Sequence, residues 1–305
     1  MSYAEKLQRH IDRYKVPQSK VAKSLGKSRT MVNLYLKGKY HADISEMDEI
    51  VAAYLKREAK RLKQPKLAEK ILETDTVQTI TALLETAYEE CQNGVIYGRA
   101  GLGKTTALRV FAKQNPEVVL IETLTTYTPN VLLKNIAKKI GVELRGSTND
   151  INEAVIKKLQ SSGRLLIVDE AENLSTRSLE MLRRLHDLAG IGLVLVGTPR
   201  LLSNLKGRHG ELEQLYSRVT LHWDLGDSVP REELDAIARA TLPELADKAK
   251  LRGKIIDKAG GSPRRLFKIL SNMYRMSYLN ARDDGEILPL DEALLERVEM
   301  VLIRS

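Results

Sequence analysis

The chain has 305 residues, 43% of them hydrophobic, which is enough apolar material for about two folded domains. No stretch approaches the ~20 apolar residues of a membrane-spanning helix, and no apolar signal core stands at the N-terminus, so we expect a cytoplasmic protein with no membrane partner. The single cysteine, Cys91, excludes an intramolecular disulfide and argues against a cysteine-based metal site.

The positive charge lies at the N-terminal end. Residues 1–66 contain 16 Lys or Arg and 7 Asp or Glu, which accounts for the whole formal net charge of +9, while the rest of the chain is balanced. A basic module attached to a neutral body favours a polyanionic partner for that module. A solvated, lysine-rich surface is the alternative that charge alone leaves open.

Short helices are predicted over residues 3–54, where apolar residues recur at three- and four-residue spacing. Gly26 stands where a tight turn needs a positive φ, and Ser28 stands where it can cap the next helix. Ala22 is small enough for two helices to cross closely. We expect four apolar side chains to pack inward between these helices: Val21, Leu25, Val32 and Leu36.

These features resemble the helix-turn-helix of the phage-repressor family, of the Cro and C1 type, over about residues 5–55. The resemblance implies an all-α DNA-binding domain whose second helix enters a major groove. The side chains that point outward near the start of that helix are Ser28, Arg29, Thr30 and Asn33. A small helical domain used for protein contacts is the alternative.

A basic segment at 56–66 predicts a linker, or a helix end running into one. A helix is predicted over 76–92. Beyond it, four short apolar runs alternate with helical stretches, at 95–97, 118–121, 165–168 and 193–196. This alternation predicts a parallel sheet covered by helices on both faces, hence an α/β fold. A further strand is predicted at about 218–222, and the pattern is helical from Pro230 onward.

The segment Gly98–Thr105 fits the pattern G-x-x-x-x-G-K-[ST], follows an apolar strand and opens a helix. Glycines let the backbone curl so that successive N–H groups face phosphates, and the start of the helix adds a favourable dipole. Lys104 is expected to pair with the β- and γ-phosphates of ATP, and Thr105 to offer its hydroxyl to Mg²⁺. The predicted nucleotide-binding residues are Gly98, Arg99, Ala100, Gly101, Leu102, Gly103, Lys104, Thr105, Thr106 and Asp169.

Two carboxylates, Asp169 and Glu170, follow the apolar run LLIV. They are placed at the carboxyl edge of the predicted sheet, where open α/β sheets bind ligands. We expect Asp169 to hold Mg²⁺ together with Thr105, and Glu170 to polarise the attacking water.

The acidic pair after one strand and the run LVLVGTPRL that ends another resemble the AAA+ ATPase family. That resemblance implies three further catalytic roles. Thr198 takes the position of sensor one, Arg218 in YSRV takes that of the arginine finger, and Arg264 in GGSPRRL takes that of sensor two on a helical lid. Arg208 and Arg265 are the alternatives for the finger and for sensor two.

The whole layout resembles the transposition ATPases of the phage Mu type, which are related to those of Tn7-like and IS21-like elements. The resemblance implies four regions: a helix-turn-helix domain at 1–58, a basic linker at 59–75, an AAA+ core at 76–224 and a helical lid at 225–305. It implies an ATPase that forms a ring or filament with ATP between subunits, holds double-stranded DNA largely without sequence preference, recruits and stimulates a transposase, and disassembles on hydrolysis.

Basic loops in the core are the candidates for additional DNA contacts: the loops around Arg145, Lys157 and Lys158, and the loop from Lys206 to Arg208. Two other functions stay open at this point. The chain could be a transcription regulator gated by ATP, or a helicase-loader-type or secretion-type AAA+ protein whose essential partner is another protein.

Overall fold

The computed structural model describes the chain apart from residues 1, 41, 63–66, 68–70, 207–218, 281–287 and 303–305. Its contacts divide the chain into two compact units. Residues 1–66 and 274–288 make up the first unit, and residues 67–273 and 289–305 make up the second. The first unit thus includes part of the region assigned to the lid, and the four predicted domain ranges stay a prediction. No helix in the described ranges is long and apolar enough to span a bilayer.

The first unit contains four N-terminal helices: α1 (Tyr3–Tyr14), α2 (Gln18–Leu25), α3 (Arg29–Leu36) and α4 (Ile44–Leu62). Gly26 ends α2 with φ +66°, and the Ser28 hydroxyl accepts a hydrogen bond from the Met31 amide at the start of α3. Both local predictions are therefore confirmed. The four side chains predicted to face each other share one core: Val21, Leu25, Val32 and Leu36. The first three are buried, and Leu36 is half-buried. α2 and α3 form the predicted helix-turn-helix.

The second unit contains a five-stranded sheet: β1 (Asn93–Tyr97), β2 (Val119–Glu122), β3 (Leu165–Asp169), β4 (Gly192–Gly197) and β5 (Leu221–Asp224). The strand order is β2-β3-β4-β1-β5, and every pairing is parallel. The predicted α/β sheet is confirmed. β5 begins at Leu221, three residues after the start predicted at about 218. Most of its side chains are exposed, so its sequence lacks the apolar run that would have located it.

The remaining helices, in chain order, are α5 (Asp75–Glu89), α6 (Lys104–Gln114), α7 (Pro129–Lys139), α8 (Thr148–Leu159), α9 (Thr176–Ala189), α10 (Pro199–Lys206), α11 (Arg231–Thr241), α12 (Ala249–Ala259), α13 (Pro263–Asn280) and α14 (Glu292–Val301). Side chains of α7, α8 and α9 form one apolar core on the sheet, and side chains of α5 and α6 belong to a second core. Both faces of the sheet are thus covered, which explains why its inner strands are apolar throughout. The carboxyl ends of β1, β3 and β4 meet at one edge of this sheet.

Candidate nucleotide-binding site

The loop between β1 and α6 has the conformation that its glycines predict. Gly101 and Gly103 have φ values of +90° and +98°, a region that residues with a Cβ atom rarely adopt. Space is also restricted, because a Cβ atom on Gly98 would lie 2.8 Å from the Cβ atom of Leu225. A Cβ atom on Gly101 would lie 2.8 Å from the hydroxyl of Ser262. The loop therefore depends on glycine for its backbone angles and for its close packing.

Lys104 opens α6 with its side chain buried. Its ammonium donates to the carbonyl of Gly98 at 2.6 Å and to that of Arg99 at 2.9 Å. Burial lowers the pKa of Lys104, and the charges of Glu172 and Asp169 oppose that change. Neutral carbonyl oxygens thus hold the ammonium at the loop. The charged oxygens of a phosphate are stronger acceptors and can replace them.

Thr105 and Asp169 are joined directly, since the Thr105 hydroxyl donates to the carboxylate at 2.6 Å. The other carboxylate oxygen of Asp169 accepts from the Glu170 amide at 2.9 Å. Burial raises the pKa of Asp169, while these two hydrogen bonds lower it. A hydroxyl and a carboxylate this close fit Mg²⁺, which keeps waters and substrate phosphates as its other ligands. The described residues contain no cluster of three or more His, Cys, Asp or Glu that could hold a metal ion on its own.

Glu170 is exposed and has a left-handed backbone conformation, with φ +54°. Two side chains fix this turn. The Thr123 hydroxyl donates to the carbonyl oxygens of Asp169 and Glu170 at 3.0 and 2.7 Å. The Asn173 amide donates to the Glu170 carboxylate at 3.2 Å. The carboxylate is therefore aimed by neighbouring groups, as a general base must be.

Glu172 is a site residue that the sequence analysis did not identify. One of its carboxylate oxygens accepts from the Thr198 amide at 3.2 Å, and the other is buried without a hydrogen-bond partner among the described residues. A Cβ atom on Gly197 would collide with that second oxygen. The Glu172 carbonyl also accepts from Asn204 on α10 at 3.0 Å. The only sequence sign of this role is a third acid two positions after Glu170.

A cavity of about 500 Å³ brings these groups together. Its polar wall includes the loop and helix start at 100–106, with Asp169, Glu170, Glu172, Thr198 and Arg264. Its apolar wall includes Ile71, Leu72, Val77, Ile237 and Phe267. A phosphate end and an apolar end in one cavity fit a nucleotide, whose base has an apolar face. Gly98 and Arg99 support Lys104 from outside the cavity wall.

The start of α13 packs directly on the phosphate loop. The Arg264 amide donates to the Gly101 carbonyl at 3.3 Å, and Arg264 is the only one of the two predicted sensor-two arginines that lines the cavity. Arg265 instead donates its amide to the Ser262 hydroxyl. Both arginines predicted for the finger, Arg208 and Arg218, lie outside the described residues.

The predicted DNA contacts are dispersed over the described parts of the chain. On α3 and its cap, Ser28, Arg29 and Thr30 are exposed, and Asn33 is half-buried. In the core, Arg145 is paired with Glu143 at 3.0 Å. Lys157 and Lys158 lie in the last turn of α8 rather than in a loop, and Lys206 ends α10. α8 separates Arg145 from the two lysines by about 15 Å, so these residues do not form one cluster.

The chain is similar to several known proteins. A family model described as an AAA domain matches residues 87–205. The chain is 29% identical over 280 residues to the Mu-like prophage FluMu DNA transposition protein B of Haemophilus influenzae, covering 90% of this chain and 96% of that protein. It is 27% identical over 271 residues to the ATP-dependent target DNA activator B of Escherichia phage Mu, covering 87% of this chain and 84% of that protein.

Among solved structures, the Aeropyrum pernix ORC2 protein matches with a TM-score of 0.57 and 19% identity, over 77% of this chain and 69% of that chain. At this level of identity, the match concerns the fold alone. The loop at 98–105 and the acids Asp169 and Glu170 lie within the residues that the AAA domain model matches. The chain contains an AAA domain, has the AAA+ fold and is an ATPase, and it is similar to the Mu-type transposition B proteins.

Proposed function

We propose that this ATPase is a target-DNA activator of transposition. Bound to ATP, copies of the chain assemble on double-stranded DNA, recruit and stimulate a transposase, and leave the DNA after hydrolysis. The similarity to proteins named for DNA transposition and for target-DNA activation carries this proposal, because it extends over 87–90% of the chain.

Each step in the pocket has a residue to perform it. Lys104 exchanges the carbonyls of Gly98 and Arg99 for the phosphates of ATP, and Thr105 and Asp169 hold Mg²⁺. The metal ion neutralises phosphate charge when it is bound. Glu170 accepts a proton from the attacking water. Thr198 and Arg264 line the same cavity, where they contact the γ-phosphate and register its loss.

A neighbouring copy completes the site around the γ-phosphate in this scheme. Arg218 of that neighbour stabilises the charge that develops during hydrolysis. ATP is then part of the interface between copies, and its hydrolysis weakens that interface. In this proposal, the nucleotide regulates assembly, and assembly in turn regulates the grip on DNA.

The helix-turn-helix and the basic residues of the core supply the DNA contacts. Ser28 caps α3 through its hydroxyl, while Arg29 and Thr30 are exposed beside it. Short polar and cationic side chains at the start of a recognition helix reach phosphates and base edges. Most of the binding energy comes from phosphate contacts, which explains binding without strong sequence preference.

The variant Glu170→Gln tests this scheme, because it keeps the shape of the side chain and removes the base. We expect it to bind ATP, to assemble on plasmid DNA and to remain assembled, whereas the wild-type protein leaves the DNA as ATP is consumed. Electron microscopy and sedimentation over time measure the difference. Glu153→Gln, at an exposed position on α8, is the matched control and should behave like the wild type.

Three results would contradict the proposal. Equal assembly with and without ATP would remove the nucleotide from the interface. Tight binding to one DNA sequence with no polymer would favour the ATP-gated regulator. ATP turnover stimulated by a protein partner and never by DNA would favour the loader-type or secretion-type function.

A further inference from the structure

A groove runs along the outer edge of β2, which is an end strand of the sheet in the described part of the chain. Val119 and Ile121 point into the core that includes α7, whereas Val118 and Leu120 contact the core that includes α6. Because neighbouring side chains of a strand point to opposite faces, α6 and α7 cover opposite faces of β2. The strand edge between them forms the floor of a cavity of about 710 Å³.

The rim of this β2-edge groove is strongly basic. Five cationic residues line it: Arg109 and Lys113 from α6, Lys138 and Lys139 from α7, and Arg164 from the segment before β3. Arg109 and Lys113 are four residues apart on one helix, so they share a face. The only acidic residue of the lining is Glu122.

The nearby carboxylates are already occupied. Glu122 receives two hydrogen bonds of 2.7 Å from Arg109, and Glu117 pairs with Arg164 at 2.6 Å. The three lysines Lys113, Lys138 and Lys139 are exposed, and the structure gives none of them an ion pair within the described ranges. Residues 67–305 as a whole have no surplus of positive charge, so this groove is a local concentration of cations.

The accessible surface of the groove fits phosphates better than a peptide. On its floor, Val119 and Ile121 are each only 4% exposed, whereas Leu120 and Tyr127 are half-buried and leave some apolar area in the groove. An uncharged peptide added to this edge would use that apolar area but not the five cations of the rim. The lysine ammonium groups on both walls, by contrast, can bind the phosphates of a nucleic-acid backbone through charge.

We propose that the β2-edge groove is the surface through which the ATPase core binds the phosphates of double-stranded DNA. The inference rests on the proposed function and specifies which part of the core serves it. The main DNA contact of the core is then the groove and not the candidates Lys157 and Lys158 that the sequence suggested. Because phosphates are the same in every sequence, this contact adds affinity without adding sequence preference.

Two lysine pairs in the chain allow a matched experiment. Lys138 and Lys139 end α7 at the groove, and Lys157 and Lys158 end α8 away from it; all four are exposed, and each pair lies in the last turn of its helix. The full-length double variants Lys138→Glu/Lys139→Glu and Lys157→Glu/Lys158→Glu carry the same change in charge. Their affinity for a fluorescein-labelled duplex of mixed sequence is measured by anisotropy with ATP over a series of salt concentrations.

We expect the groove variant to bind the duplex at least about tenfold more weakly and to reduce the slope of log K against log salt by about two per protomer. The α8 variant, which removes the two lysines that the sequence suggested, should lose less affinity and less slope than the groove variant. ATP binding in the absence of DNA should be unchanged in both variants, which shows that the ATPase core remains folded.

The possible failures are distinct. If the wild-type protein does not bind the duplex with ATP, the proposed function fails as well. Two results with a wild type that binds the duplex would overturn the groove assignment alone. In the first, the groove variant keeps the wild-type salt slope; in the second, the slope falls equally in both variants. Polyglutamate is the second probe. Loss of polyglutamate binding with unchanged duplex binding in the groove variant would show a site for an acidic protein and would overturn the assignment to DNA.

Discussion

The nucleotide pocket and the β2-edge groove lie on the same sheet but use charge in opposite ways. In the pocket, at the carboxyl ends of β1, β3 and β4, Lys104 and Asp169 are buried, and each is held by specific hydrogen bonds. In the groove, along the side of β2, Lys138 and Lys139 are exposed and have no ion pair within the described ranges. Buried charges with fixed partners support chemistry, whereas exposed charges act through their sum and are screened by salt.

The same residue type shows this difference most directly. Burial lowers the pKa of Lys104 because the charged form loses its hydration. A phosphate that enters the pocket meets an ammonium that is already positioned and poorly hydrated. Each groove lysine must instead give up water and freedom to bind a phosphate, so its individual contribution is small.

The largest effect that follows from this contrast is expected for Lys104→Ala. The variant loses a buried, charge-assisted contact to the phosphates, and ATP binding should weaken by at least about a hundredfold. Isothermal titration with ATP measures the loss. Lys138→Ala is the matched control and should bind ATP with wild-type affinity. If the two variants bind ATP equally well, the contrast between the pocket and the groove is wrong.

An intermediate effect is expected at Glu172. Glu172→Gln keeps an acceptor for the Thr198 amide and removes a negative charge from a cavity that binds phosphates. ATP should bind about fivefold more tightly, or ~1 kcal/mol. Glu172→Ala removes the acceptor too, and it should lower the free energy of unfolding by about 1–3 kcal/mol. Titration with ATP measures the effect of the charge, and urea unfolding measures the effect of losing the acceptor. Unchanged ATP affinity in Glu172→Gln would show that the charge of Glu172 does not reach the phosphate site.

The smallest effect is expected for Arg109→Ala, on the rim of the groove. The side chains of Arg109 and Glu122 are 61% and 45% exposed, so losing their ion pair should cost less than about 1 kcal/mol of unfolding free energy. Arg109 also holds the pKa of Glu122 below its ordinary value. The contribution of the pair is therefore present at neutral pH and disappears as the pH falls through that lowered pKa. Urea unfolding at neutral pH and at about pH 3 checks this direction. A difference in unfolding free energy between the wild type and Arg109→Ala that grows as the pH falls would contradict this prediction.

The sequence was sufficient to locate the phosphate loop and the two acids after β3, because each of these features is encoded by neighbouring residues. Thr105 and Asp169 are hydrogen-bonded and Lys104 lines the same cavity, while the roles of the three toward a nucleotide stay predictions. Glu172 was missed because its role depends on packing against Gly197 and Thr198, which lie more than twenty positions away. The groove was not predicted either, because its cations come from two helices and a loop that share no motif. The assignment of the finger to Arg218 stays a prediction.

The left-handed turn at Glu170 has a consequence for protein engineering. A glutamate in this conformation costs about 1 kcal/mol or more, and asparagine tolerates it better. A directed-evolution campaign that scores heat resistance alone will therefore tend to favour asparagine at position 170, and, if Glu170 is the general base as proposed, it will enrich stable proteins that no longer turn over ATP. Libraries made to obtain hardier versions of this enzyme should keep codon 170 fixed.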